Sequence, residues 1–145
     1  MNKATRPGAA ERLLAACGIW MVGLGLYFIF VRPALLPEDL RYAGTSVAVL
    51  QAAAPRIEQW LDLVFKVMGG FMVGAGVLVT FFTLRVLPKR PAGALAVMVL
   101  VGAVTLGLMS AVNFALASDF RWLLLGPPAV WFGAVLTHSG GRTAN

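Results

Sequence analysis

The chain contains very little of the chemistry on which most enzymes depend. Its 145 residues include one cysteine, Cys17, and one histidine, His138. A single cysteine excludes an internal disulfide and a dithiol redox pair, and these counts argue against zinc and haem sites. The sequence has no phosphate-binding loop, no nucleophile elbow and no histidine-rich cluster. It therefore predicts a protein that is not an enzyme, with no catalytic residue, no metal and no cofactor.

Charged residues are also scarce: they form 12% of the chain, whereas hydrophobic residues form 59%. Soluble domains have about 25% charged and about 45–50% apolar residues, and a small soluble domain must turn much of its surface to water. Lysine and arginine number 12 against 6 acids, a formal net charge of +6. Because the basic residues bracket apolar runs, they indicate orientation signals and anchors for anionic headgroups. The predicted partner is a lipid bilayer and not a nucleic acid.

Four apolar runs account for most of the sequence. About 20 helical residues cross the hydrocarbon core of a membrane, which is about 30 Å thick. The first run is longer than the apolar part of a signal peptide, and no small-residue cleavage site follows it, which favours a retained span. The fold class predicted is all-α: a four-helix transmembrane bundle with a short extramembrane helix between the first and second spans. The predicted spans are residues 13–31, 60–84, 93–117 and 122–137.

The polar segments between these runs predict the topology. Residues 1–12 form a basic N-terminal segment, residues 32–59 an outer loop and residues 138–145 a tail. The basic turn at 85–90 is typical of a cytoplasmic loop, so we expect both termini in the cytoplasm. Within the loop, Ser46 is a suitable N-cap for the short helix.

Small residues recur at helical spacing in the second, third and fourth runs. Helices in lipid associate through close backbone approach, which small residues permit. The pattern predicts contacts between helices of one chain, with a homo- or hetero-oligomer as the alternative. The predicted packing residues are Gly70 and Gly74, with Gly69 and Gly76 beside them, and Ala103, Gly107 and Ala111.

Polar residues concentrate on the predicted outer side. One interpretation is structural: Asp62 and Lys66 pair at i,i+4, Arg41 or Arg56 neutralises Glu58, and the amide of Asn113 bonds another helix. The functional interpretation is a pocket covered by the loop that recognises a headgroup or a small ligand. Its candidate ligand-binding residues are Tyr27, Arg41, Tyr42, Trp60, Lys66 and Asn113.

Two tracts resemble a known group of proteins. Leu36-Pro37-Glu38-Asp39-Leu40-Arg41-Tyr42, followed by Trp60 and by Val67-Met68-Gly69-Gly70-Phe71-Met72, is similar to uncharacterised bacterial four-helix membrane proteins, loosely the DoxX-like group. The resemblance implies a four-helix bundle in the cell inner membrane with a loop insert after the first helix. Some DoxX relatives are linked to quinone or thiol oxidation, but the lone Cys17 offers no dithiol, so the resemblance assigns no functional residue.

The predicted function is binding rather than catalysis. The first hypothesis is a membrane protein that binds a lipid-like or small apolar ligand beneath the outer loop. The alternative is a structural or accessory subunit of a larger membrane complex. A small transporter ranks last because its polar path would need acidic residues within the spans, and the acids lie at their ends.

Overall fold

The computed structural model describes residues 7–140, which form six helices joined by short segments. No β-strand occurs within that range, so the predicted all-α class is confirmed. The helices are α1 (Ala9–Phe30), α2 (Pro37–Ala43), α3 (Val47–Ala53), α4 (Ile57–Arg85), α5 (Ala94–Ala115) and α6 (Arg121–Gly140).

Three of these helices, α1, α4 and α5, are long and apolar enough to cross a membrane. Their apolar windows have mean hydropathies of 2.1, 2.0 and 2.4, which supports a multi-pass membrane protein. Helix α6 has 20 residues but is not among the three, because its proline pair, tryptophans and polar last turn lower its hydropathy. Between α1 and α4 the chain forms two short helices, α2 and α3, where the sequence predicts one.

Helix α1 packs against α4 at two pairs of glycines. A Cβ atom added to Gly76 would lie 2.6 Å from the carbonyl oxygen of Gly18, and one added to Gly69 would lie 2.6 Å from that of Gly25. The later residue of α1 meets the earlier residue of α4, so the two helices run antiparallel. Since backbone touches backbone at both pairs, only glycine fits at this separation.

Five of the small residues predicted to pack lie elsewhere on their helices, whereas Gly69 and Gly76 form the contact with α1. No atom lies within 4 Å of a Cβ position on Gly70 or Gly74, and Gly107 meets only the carbonyl oxygen of Gly102 in its own helix. Ala103 and Ala111 are exposed. The packing role of these residues stays a prediction, and the glycines in contact on α4 are their neighbours Gly69 and Gly76.

The centre of the core is Trp131 of α6, which is 0% exposed. Its indole Nε1 donates a hydrogen bond of 3.0 Å to the carbonyl oxygen of Met98 in α5, and its ring lies against Gly102. Immediately after Gly102, α5 widens into a π-helical turn at Ala103–Gly107. This contact fastens α5 to α6, and the rest of the core surrounds it.

The helices define two ends of the molecule. The turn end holds the first turn of α1, the turn at 86–93 and the last turn of α6. The loop end holds residues 31–56, the first turns of α4 and the α5–α6 turn at 116–120. Helix α6 runs antiparallel to α1: Glu11 meets His138 at the turn end, and the thiol of Cys17 lies 3.7 Å from the carbonyl oxygen of Pro127 further along.

Candidate functional site

A buried carboxylate anchors α2 at the loop end. Glu38 is 4% exposed, and its Oε1 accepts a hydrogen bond of 3.1 Å from the hydroxyl of Ser118 in the α5–α6 turn. The Ser118 oxygen in turn accepts the backbone N–H of Phe120 at 3.2 Å. On the surface nearby, Arg41 pairs with Asp119 at 3.1 Å. These contacts hold α2 against the turn between the end of α5 and the start of α6.

Arg32 joins α1, α2 and α4 at the same end. Its side chain is 8% exposed and forms an ion pair of 3.3 Å with Asp39. The guanidinium carbon lies 3.5 Å from the centroid of the Phe65 ring and 5.3 Å from that of Phe28. Asp39 also accepts the backbone N–H of Leu36 at 2.9 Å, which caps the start of α2. A cation stacked on two rings and paired with an acid stabilises this corner of the fold.

Of the two ion pairs predicted for the charged residues at the start of α4, one forms. Lys66 and Asp62 pair at 2.7 Å, as their i,i+4 spacing predicts. The prediction that Arg41 or Arg56 neutralises Glu58 is wrong. Glu58 instead accepts a hydrogen bond of 2.8 Å from the side-chain amide of Gln51, which α3 brings beside it.

The amide of Asn113 does not join two helices. Its Nδ2 donates to the carbonyl oxygen of Met109 at 2.9 Å, one turn earlier in α5, so the predicted interhelical bond is wrong. Tyr42 and Trp60 are largely exposed at the loop end. Within residues 7–140, no hydrogen bond, ion pair or ring contact joins any two of the six predicted ligand-binding residues.

An apolar recess lies on the flank of α1. It has a volume of about 530 Å³ and is open to the surface, since all six lining residues belong to α1 and five of them are exposed. Gly23 forms its floor, since no atom lies within 4 Å of a Cβ position there. We call it the α1 groove; it is lined by Ala16, Ile19, Trp20, Gly23, Leu24 and Tyr27.

The α1 groove has two polar atoms, the indole Nε1 of Trp20 and the hydroxyl of Tyr27. Among the described residues neither has a hydrogen-bond partner. Tyr27 is the one predicted ligand-binding residue that lines the groove. Trp20 lies near the middle of α1 and is not among the predicted ligand-binding residues, although a tryptophan away from the ends of an apolar run is a usable signal.

A second polar cluster closes the turn end. His138 Nδ1 lies 2.9 Å from Glu11 Oε1, and both residues are buried. The sequence predicts Glu11 in the N-terminal segment and His138 in the tail, whereas both lie within helices. A guanidinium nitrogen of Arg90 approaches the His138 carbonyl oxygen at 3.5 Å, beside a crevice of about 40 Å³ between the 86–93 turn and the end of α6.

Within residues 7–140, no three histidine, cysteine or acidic side chains gather where they could hold a metal ion. Cys17 is buried in the core, where an attacking thiolate has no access to a substrate. Comparison with protein-family models, with curated proteins and with solved structures gives no match to this chain.

Proposed function

We propose that this chain is a non-enzymatic integral membrane protein that binds a lipid-like or small apolar ligand. The observation that carries the proposal is the α1 groove, an apolar recess on the flank of a helix long enough to cross a membrane. Tyr27 connects this groove with the ligand site predicted at the loop end. The groove extends from Ala16 towards that end, so a bound chain would run along α1.

The two polar atoms of the groove favour a ligand that carries an oxygen acceptor. An indole N–H or phenol in hydrocarbon without a partner costs about 1–3 kcal/mol, judged from mutational data. An ester, ether or ketone oxygen on an apolar ligand would satisfy such a donor, and the aromatic rings would cover the adjoining apolar part. A lipid supplies both features.

The test is native mass spectrometry of the protein gently extracted from its own membrane. We expect an adduct of defined mass on the monomer, and we expect Gly23→Leu to lower its occupancy by about tenfold, equivalent to about 1.4 kcal/mol, because the leucine fills the floor of the groove. Gly133→Leu is the matched control, since that glycine of α6 also has open space around it. An adduct that survives Gly23→Leu unchanged would contradict binding in the groove.

A structural or accessory subunit is the second candidate, and exposed glycines favour it. Gly70 and Gly74 lie one turn apart on α4 with open space beside both, so another helix could approach their backbone. In the same experiment, a partner chain or a fixed multimer without an adduct would favour this function. Gly70→Leu should then dissociate the complex.

We further propose that α6 is a fourth span, so that both termini lie in the cytoplasm. Two contacts at opposite ends support this: Glu11 with His138 at the turn end, and the rings of Phe114 and Trp122, 5.1 Å apart, at the loop end. Helix α6 therefore extends from one end of the molecule to the other, about 30 Å for its 20 residues. A bacterial inner membrane and the DoxX-like resemblance remain predictions.

Fusion reporters test this topology. With four spans and the N-terminus inside, a green fluorescent protein at the C-terminus should fluoresce in a bacterial host, whereas alkaline phosphatase at the same position should be inactive. Fusions within the loop between α2 and α3 should give the reverse result. Active phosphatase at the C-terminus together with a loop fusion on the outside would mean three spans and overturn the proposal.

A further inference from the structure

Charge is divided unequally between the two ends of the molecule. At the loop end five cations face five acids, a formal net charge of zero, and three ion pairs join them: Arg32–Asp39, Arg41–Asp119 and Lys66–Asp62. The five cations are Arg32, Arg41, Arg56, Lys66 and Arg121, and the five acids are Glu38, Asp39, Glu58, Asp62 and Asp119.

At the turn end the cations have no acid partner. Arg12, Arg85, Lys89 and Arg90 form no ion pair within the described residues, and the one acid there, Glu11, faces His138. Lys3, Arg6 and Arg142 adjoin this end in sequence and lie outside the described range. The formal net charge of +6 is therefore carried entirely by the turn end and the segments that adjoin it.

The turn at 86–93 holds its cations on a fixed backbone. Leu87 is fully buried, and its carbonyl oxygen accepts the N–H of Arg90 at 2.9 Å, which closes the 3-10 turn Leu87–Lys89. Arg90 itself has a φ of 49°, and prolines precede and follow the pair of basic residues. Because proline restricts the backbone, Lys89 and Arg90 are presented in one arrangement rather than on a flexible tail.

The crevice beside Arg90 is small and is lined mostly by apolar residues. Its volume of about 40 Å³ exceeds the roughly 10–15 Å³ that one water molecule requires. Arg90, His138 and Ser139 are its polar or charged members, and the other lining residues are Leu87, Pro91, Gly93, Ala94 and Leu95. Gly93 offers no side-chain cap, so first-turn N–H groups of α5 add to the positive potential of the unpaired cations.

We propose that the turn end is a docking surface for anionic phospholipids, whose phosphates bind the exposed cations Arg85, Lys89 and Arg90. The 86–93 turn follows directly on α4, a helix long enough to span, so its cations stand at the depth of the headgroups. Arginine binds phosphate oxygens through two parallel N–H groups, and Arg85 and Lys89 supply neighbouring charge. This site is separate from the α1 groove and does not depend on it.

The test compares lipid retention after reconstitution in nanodiscs of equal parts phosphatidylcholine and phosphatidylglycerol. Native mass spectrometry should find phosphatidylglycerol retained preferentially on the wild-type protein. Each basic residue near a membrane surface contributes about 1 kcal/mol, so Lys89→Gln with Arg90→Gln should lower that preference by about 25-fold. The exchange Lys89→Arg with Arg90→Lys keeps both charges and should retain most of the preference, which separates loss of charge from loss of folding.

The matched control is Arg56→Gln with Arg121→Gln, which removes two loop-end cations that form no ion pair among the described residues. We expect it to leave the preference unchanged. An equal loss in this control, or an unchanged preference in the turn variant, would overturn the proposal. Displacement of the lipid by millimolar glycerol phosphate would assign the turn-end cations to a soluble phosphate compound and would also overturn the proposal.

Discussion

Gly76→Ala should destabilise the protein by about 1–3 kcal/mol, whereas Gly74→Ala, on the same helix, should not destabilise it. The added methyl on residue 76 would lie 2.6 Å from the carbonyl oxygen of Gly18 and 2.8 Å from the backbone nitrogen of Val22. Both are backbone atoms, so relief requires α1 and α4 to separate. Residue 74 has open space, where alanine instead gains up to about 1 kcal/mol in helix propensity.

Thermal unfolding in detergent micelles, followed by circular dichroism, measures this contrast. Gly69→Ala is a second test of the same interface because its Cβ would lie 2.6 Å from the carbonyl oxygen of Gly25. Gly70→Ala is its neighbouring control. Equal unfolding temperatures for Gly76→Ala and Gly74→Ala would mean that α1 and α4 do not pack as closely as described.

The sequence of α4 alone does not predict which of its glycines contact α1. The G-x-x-x-G spacing identified Gly70 and Gly74, but a pattern within one helix does not say which of its faces meets a partner. The deciding signal is shared by two helices. Gly18 and Gly25 are seven residues apart, as are Gly69 and Gly76, so two turns of one helix match two turns of the other.

Local contacts were predictable and distant contacts were not. The Lys66–Asp62 pair follows from helical spacing alone. The bond between Glu38 and Ser118 joins residues 80 positions apart, and it depends on where the α5–α6 turn stands relative to α2. The same holds for Glu11 and His138. Apolar runs reveal that helices exist, but not the order in which they stand around one another.

Trp131→Ala should destabilise the protein by about 3–5 kcal/mol, the largest loss that we expect from one side chain. The ring of Trp131 is fully buried against α5. Its removal leaves a cavity beside Gly102 and the carbonyl oxygen of Met98. Trp131→Phe should cost about 1–3 kcal/mol, because the carbonyl oxygen of Met98 loses its indole donor. Trp122, which is 67% exposed, is the control: Trp122→Ala should cost far less.

Gly102 provides a second test of the same contact, because the ring of Trp131 lies against it. A Cβ atom there would lie 2.7 Å from a ring carbon of Trp131, so Gly102→Ala should destabilise the wild-type protein by about 1–3 kcal/mol. In a Trp131→Ala background the same methyl would enter the vacated space and cost little. Unfolding of the two single variants and the double variant gives the coupling, which we expect to be about 1–3 kcal/mol for residues in direct contact. Additive losses would mean that the ring does not rest on Gly102, and that the bond to the Met98 carbonyl alone fastens α5 to α6.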